Sequence, residues 1–146
     1  MHFEVSLVVG VPREKVYSVY TDFEAAPKWS NDKREVKVSR REGNTVYLEG
    51  GSPMGGSQGA REVKLLPPER VESHGETRLT RARSVVMFDE VPAGTRITAS
   101  LDVEVKGRWS WIFKTQAKSE AESSAMKELK SFARYIEGPP SATDPV

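Results

Sequence analysis

His2 and His74 are the only histidines in the chain. Neither stands four residues from a second one, the spacing at which a helix offers two imidazoles to a metal, so no metal site is predicted. His74 lies between Ser73 and Gly75 in a polar alternating segment, which predicts a surface strand position, and no partner for a catalytic role is evident. Asp89 and Glu90 are adjacent carboxylates, but neighbours on a strand point to opposite faces and cannot act as a facing acid and base. They are predicted to end a strand before the Pro92-Ala93-Gly94 turn. Asp22 follows a helix of Val and Tyr residues and is read as ending that helix or capping the next. Gly50-Gly51 and Gly55-Gly56 lack the lysine and following helix of a phosphate cradle, and no glycine-flanked serine elbow appears. That glycine-rich loop, with Met54 its one large side chain, is read as a flexible rim. No catalytic residue and no cofactor are predicted.

Arg78, Arg81 and Arg83 form a basic stretch, and Lys33-Arg34 and Arg40-Arg41 form two more. Binding of single-stranded nucleic acid would need exposed aromatics among them. Instead Glu35, Glu42, Glu62, Glu72 and Glu76 are interspersed, which predicts a solvated convex sheet face with Arg81 and Arg83 opposite Ala82 and Ser84. The whole chain of 146 residues balances 22 Lys and Arg against 21 Asp and Glu, a formal charge of +1. Such a balance gives no field for steering polyanions. There is no cysteine, hence no disulfide or thiolate chemistry. The opening Met1-His2-Phe3-Glu4 lacks the layout of a signal peptide, and no apolar run approaches the ~20 residues of a membrane span. A cytoplasmic protein without stable membrane insertion is the expectation.

The elements that must position any site follow from periodicity. Phe3, Val5, Leu7 and Val9 alternate with His2, Glu4, Ser6 and Val8, the pattern of a strand with one buried face. Pro12 is placed in the first turn of a helix, with Glu14 favourable near its N-terminus and Val16, Val19, Tyr20 and Phe23 as its apolar face. A short helical or turn segment, Glu24 to Ser30, carries Pro27 and Trp29. Val36 and Val38 then alternate with charged neighbours, and Glu42-Gly43-Asn44 supplies hairpin chemistry into Thr45 to Gly50, with Val46 and Leu48 inward and Tyr47 opposite. Arg61 to Leu66, Arg70 to His74, and Thr77 to Val91 read as strands, with Pro67-Pro68 a break. Ile97, Ala99, Leu101, Val103 and Val105 give the cleanest alternation. Parity is ambiguous at Val85-Val86-Met87-Phe88, where a bulge could switch faces.

Trp109 to Glu137 reads as one long amphipathic helix. Phe113, Ala117, Ala121, Ala125, Leu129, Ala133 and Ile136 share a face at three- and four-residue spacings, while Lys114, Lys118, Glu122, Lys127, Glu128 and Lys130 fall largely elsewhere. Gly138-Pro139-Pro140 stops it. The small residues mid-stripe either let the helix lie close on a sheet or leave room beside it for a guest. The order is one strand, two short helices, about six strands and a terminal helix, an α+β arrangement in which the lone helix covers the concave face of a curved antiparallel sheet. One domain over residues 1–138 is expected, with residues 139–146 a disordered tail.

Val11-Pro12-Arg13-Glu14-Lys15-Val16-Tyr17 followed by Asp22-Phe23-Glu24-Ala25-Ala26-Pro27-Lys28-Trp29, then Gly94-Thr95-Arg96-Ile97 and the closing helix, resembles the START-like, or SRPBCC, helix-grip superfamily. That group includes polyketide cyclase/dehydrase-type proteins. The resemblance implies a sheet of about seven strands wrapped round the C-terminal helix, with an apolar cavity used across the family for lipids, sterols, quinones, polyketides and plant hormones. Within such a fold, Trp29, Met54 and Trp111 are expected to border the cavity. Leu48, Val86, Phe88, Leu101, Ala121 and Ala125 are expected to form its wall by parity and helix phase. Trp109 and Met87 are further aromatic or soft candidates. Access would require movement of the Met54 loop or of the segment around Trp29. The reading is a non-catalytic binder of a small hydrophobic molecule. A cyclase or dehydrase, and an accessory or co-chaperone module acting on a partner protein, are the alternatives, and no oligomeric state can be assigned from the sequence.

Overall fold

Strand alternation translates into one antiparallel sheet. The computed structural model describes residues 1–50, 61–76, 80–105 and 116–138. Its strands are β1 (His2–Val9), β2 (Val36–Glu42), β3 (Thr45–Gly50), β4 (Arg61–Leu66), β5 (Arg70–Glu76), β6 (Thr80–Val91) and β7 (Gly94–Val105). They pair in the order β1-β7-β6-β5-β4-β3-β2, so the first strand closes onto the last. Helix α1 (Arg13–Tyr20) and a 3₁₀ turn (Phe23–Lys28) link β1 to β2, and helix α2 (Gln116–Glu137) ends the described chain. The expected β5 gains Gly75 and Glu76, and β6 is described from Thr80 onward. Residues 109–115 of the expected long helix lie outside the described residues, as do 77–79 and the tail.

Register fixes which side chains share the concave face. Leu65 pairs with Val71, Val71 with Val86, Val86 with Ala99, and Ala99 with Val5. The next row runs Val63, Ser73, Ser84, Leu101 and Phe3, and the one beyond it Arg61, Gly75, Ala82 and Val103. Directly opposite residues lie on one face, so these rows form a continuous apolar surface interrupted by Arg61, Ser73 and Ser84. Pairing of β6 is unbroken through Val85 to Met87 with β5 and through Val85 to Phe88 with β7. Val86 and Phe88 therefore face inward and Val85 and Met87 outward, and the irregularity sits instead in β2, between Val38 and Arg40.

Proline sits one place earlier than periodicity suggested. Pro12 is extended (φ −60°, ψ 147°) and its carbonyl accepts from Val16 N at 3.0 Å, so it caps α1 and the helix starts at Arg13. Tyr17, not counted on the apolar face, is buried beside Val16. At the other end Gly138 adopts φ 79°, the left-handed conformation that stops α2. Among the strands, α2 lies chiefly along β1. Ala125 packs on Phe3 and Leu101, while Leu129 and Phe132 enter the main core with Val9, Val16, Phe88 and Ile97. No helix among the described residues is long and apolar enough to cross a membrane.

Candidate functional site

Aromatic rings from four elements meet at one end of the concave face. Tyr20 of α1 has its ring centroid 6.1 Å from Trp29, 5.6 Å from Phe88 and 5.8 Å from Phe132, and Trp29 stands edge-on to Phe132 at 4.9 Å. Tyr17 packs edge-on against Phe88 at 5.5 Å. Edge-to-face contact places positive ring edges on negative faces, which orders the cluster beyond its burial. The Trp29 indole Nε1 is buried and has no acceptor.

A buried acid lies beside these rings. Glu128 of α2 is 3% exposed; Oε2 accepts from Ser30 Oγ at 2.6 Å and Oε1 from Asn31 N at 2.7 Å. Ser30 Oγ in turn accepts from Asp32 N at 2.9 Å, and Ser131 Oγ donates to the Trp29 carbonyl. The sequence stripe left Glu128 off the inner face. Yet Glu128 stands three residues after buried Ala125 and four before buried Phe132, the spacing of side chains on one face. Helix phase alone would have placed it inside; its charge argued otherwise.

Arg61 brings a cation to the concave face. Its guanidinium donates to the Gly50 carbonyl at 3.2 Å, and burial lowers its pKa, opposed by Tyr20 and Asp32. Gly50, at φ 109°, is constrained by close approach: a Cβ there would stand 1.9 Å from the Glu35 carbonyl oxygen. Burial pushes the Tyr20 phenol up to about 12, with Arg61 pulling it down and Glu128 raising it further. Burial likewise raises Tyr17, whose hydroxyl donates to the Arg70 carbonyl at 3.4 Å. At neutral pH Tyr20 is thus a neutral hydrogen-bonding group rather than a base. Ser73 and Ser84 share a hydrogen bond on the same face. The arrangement can hold an apolar body while offering Arg61, Tyr20 and serine hydroxyls to its oxygens.

The expected wall residues are placed as follows. Trp29, Leu48, Val86, Phe88, Leu101 and Ala125 are all buried, and Ala121 is partly buried. Leu101, Ala125 and Ala121 pack with Phe3, while Trp29, Leu48, Val86 and Phe88 belong to the main core, and Val5 is packed against both groups. Met54, Trp109 and Trp111 lie outside the described residues. Periodicity missed Arg61, Tyr17, Ser30, Glu128 and Phe132; parity with Val63 and Leu65 would have found Arg61.

The convex face is the solvated one. His74 is exposed there, and Arg81 lies 3.3 Å from Glu76 and 3.5 Å from Glu104. His2 Nδ1 meets Asp102 there at 2.7 Å, whereas Glu90 has the parity of Phe88 but is exposed near the strand's end, 3.6 Å from Arg13. Asp22 precedes the 3₁₀ turn without a side-chain capping bond.

This combination, a seven-stranded antiparallel sheet with a C-terminal helix on its concave side, is the START-like helix-grip fold. The chain belongs to the family described as polyketide cyclase / dehydrase and lipid transport, matched over residues 1–137. Among curated proteins none matches the sequence. A crystal structure of a protein from Thermus thermophilus is 17% identical with a TM-score of 0.79, covering 99% of this chain and 100% of that one. The Zhui aromatase/cyclase from Streptomyces sp. R1128 is 14% identical with a TM-score of 0.73, covering 94% and 93%. A START superfamily protein from Mycobacterium smegmatis is 17% identical with a TM-score of 0.70, covering 93% and 97%. At these identities the likeness is one of fold.

Proposed function

We propose that this protein binds a small hydrophobic molecule, a lipid, quinone or polyketide-like ring system, between α2 and the β3–β6 part of the concave face. The observation that carries the reading is the uneven covering of that face. Val86, Phe88 and Ile97 are at most 1% exposed, whereas Arg61, Ser73, Ser84 and Val103, on the same face, keep partial exposure. Because α2 lies chiefly along β1, the polar-edged region around Arg61, Ser73 and Ser84 is where we place the guest. Affinity would come from apolar area removed from water, at about 25 cal/mol per Å², with Arg61 and Tyr20 orienting the ligand's oxygens. Family membership supports the same class of ligand. Native mass spectrometry of freshly purified protein, followed by organic extraction, tests this. A retained apolar molecule is the expected outcome; failure both to retain one and to take up added apolar ligands would sink the reading.

A cyclase-type role is the second reading, favoured by the family match and by the place of Arg61 on that face. Turnover of a polyketide-like substrate that is lost in Arg61→Met but kept in His74→Ala would support it.

A further inference from the structure

Glu128 is the charged side chain in the core of the described residues, and the polar groups it holds lie on a single short segment. Each backbone N–H from Trp29 to Asp32 has a partner. Trp29 N and Ser30 N donate to the Ala26 carbonyl at 3.1 and 2.9 Å, Asn31 N to Glu128, and Asp32 N to Ser30 Oγ, itself bound to Glu128. One turn further along α2, Ser131 holds the Trp29 carbonyl. An apolar side chain in place of Glu128 would bury the helix equally well but would fix no direction, whereas a carboxylate with two donors fixes both elements in one geometry.

We propose that Glu128 is a positioning residue that clamps the Trp29–Asp32 segment onto α2 and so makes Trp29 a stationary wall of the ligand pocket. This rests on the ligand-binding reading above. Swinging the segment outward would strip both hydrogen bonds from a buried carboxylate, which costs more than breaking neutral ones. Ligand is therefore admitted without displacing Trp29, which sets aside the segment around Trp29 as one of the two access routes read from the sequence.

The test uses the full chain with Trp109→Phe and Trp111→Phe, leaving Trp29 as the sole indole. Acrylamide quenching of Trp29 and affinity for the apolar dye N-phenyl-1-naphthylamine are measured with and without Glu128→Ala. The variant is expected to raise the quenching rate about three-fold and to weaken dye binding about ten-fold, the scale of one charged hydrogen bond. Glu128→Gln, whose amide oxygen still accepts one bond, should fall between. Leu129→Ala removes an adjacent core side chain and should leave quenching at the parent value. Unchanged quenching in folded Glu128→Ala, or an equal rise in Leu129→Ala, overturns the proposal. If Glu128→Ala does not fold, Ser30→Ala decides, with a smaller rise expected and no rise overturning it. A parent protein that neither retains an apolar molecule on purification nor binds the dye refutes the pocket and with it the wall role, while the quenching series still reports whether the clamp exists.

Discussion

Ser30 Oγ donates a 2.6 Å hydrogen bond to Glu128 Oε2, joining residues 98 positions apart in the sequence. Ser30 is 1% exposed and Glu128 3%, so neither group can turn to water if the other is removed. Hydrogen bonds to charged groups contribute about 1.5–3 kcal/mol, more than the neutral bonds of the surrounding sheet. The bond thus ties the end of the 3₁₀ turn to the middle of α2 where apolar packing alone would leave their relative position free to slide.

Ser30→Ala should accordingly destabilise the protein by about 2 kcal/mol, since it deletes a methyl-sized hydroxyl without opening a large cavity yet leaves a carboxylate oxygen bare. Urea unfolding measures this. Ser39→Ala, at an exposed position whose hydroxyl bonds only to the Tyr47 carbonyl, should fall within about 0.5 kcal/mol of wild type. Equal effects at the two sites would mean that burial of Glu128 contributes nothing.

Tyr20 predicts an alkaline limit to stability. Its folded pKa of about 12 exceeds the ordinary value of 10.0, so the unfolded chain loses this proton first. Below pH about 10 the contribution is fully present, and it declines as pH rises from about 10 to about 12, by at most about 3 kcal/mol. Unfolding free energies across that range should fall more steeply for wild type than for Tyr20→Phe. A tyrosinate absorbance titration should show a phenol ionising near pH 12, and its disappearance in Tyr20→Phe assigns it.

Arg61 separates stability from recognition. Its guanidinium is partly withdrawn from water and bonds to one carbonyl, so Arg61→Met trades an incompletely compensated charge for an apolar stem of similar reach. The removed charge is only partly compensated while the Gly50 carbonyl loses the Arg61 donor, two opposing effects that should leave the melting temperature close to that of wild type. Binding of dodecanoate should weaken by about ten-fold while that of 1-dodecanol is unchanged, because only the carboxylate uses the cation. Parallel losses for both ligands would place Arg61 outside the binding region.

Legibility in the sequence tracked how each side chain is held. The alternation through Ile97, Ala99 and Leu101 was readable because one face of β7 is buried along most of its length, and the Gly43-Asn44 hairpin because its residues demand a turn. The run from Val85 to Phe88 was not, since four apolar residues carry no parity; only pairing with Ser84 to Leu101 and its neighbours in the register settles it. Glu128 and Arg61 were missed for a different reason. Helix phase and strand parity put both at inward positions but their charge argued for water, and the partners that hold them there, Ser30 and Asn31 for one and Gly50 for the other, leave no mark in hydrophobic periodicity. The family likeness, by contrast, rested on the order of several loose motifs along the chain, which the fold and the family match both support.

Two substitutions to phenylalanine locate the open volume. Ala125 is 2% exposed and wedged between Phe3 and Leu101, so Ala125→Phe overpacks a closed contact and should cost about 1–3 kcal/mol of stability. Ser84 shares the concave face but keeps partial exposure, between Ser73 and Leu101 in the cross-strand row. If the proposed pocket lies beside it, Ser84→Phe should leave the protein nearly as stable while lowering affinity for N-phenyl-1-naphthylamine by about ten-fold through occupied volume. The opposite pattern, a stable Ala125→Phe that blocks dye and an unstable Ser84→Phe that does not, would move the pocket to the far side of α2, against β1 and β7. That outcome would leave the fold and the clamp at Glu128 intact, because neither depends on which side of the helix holds the guest.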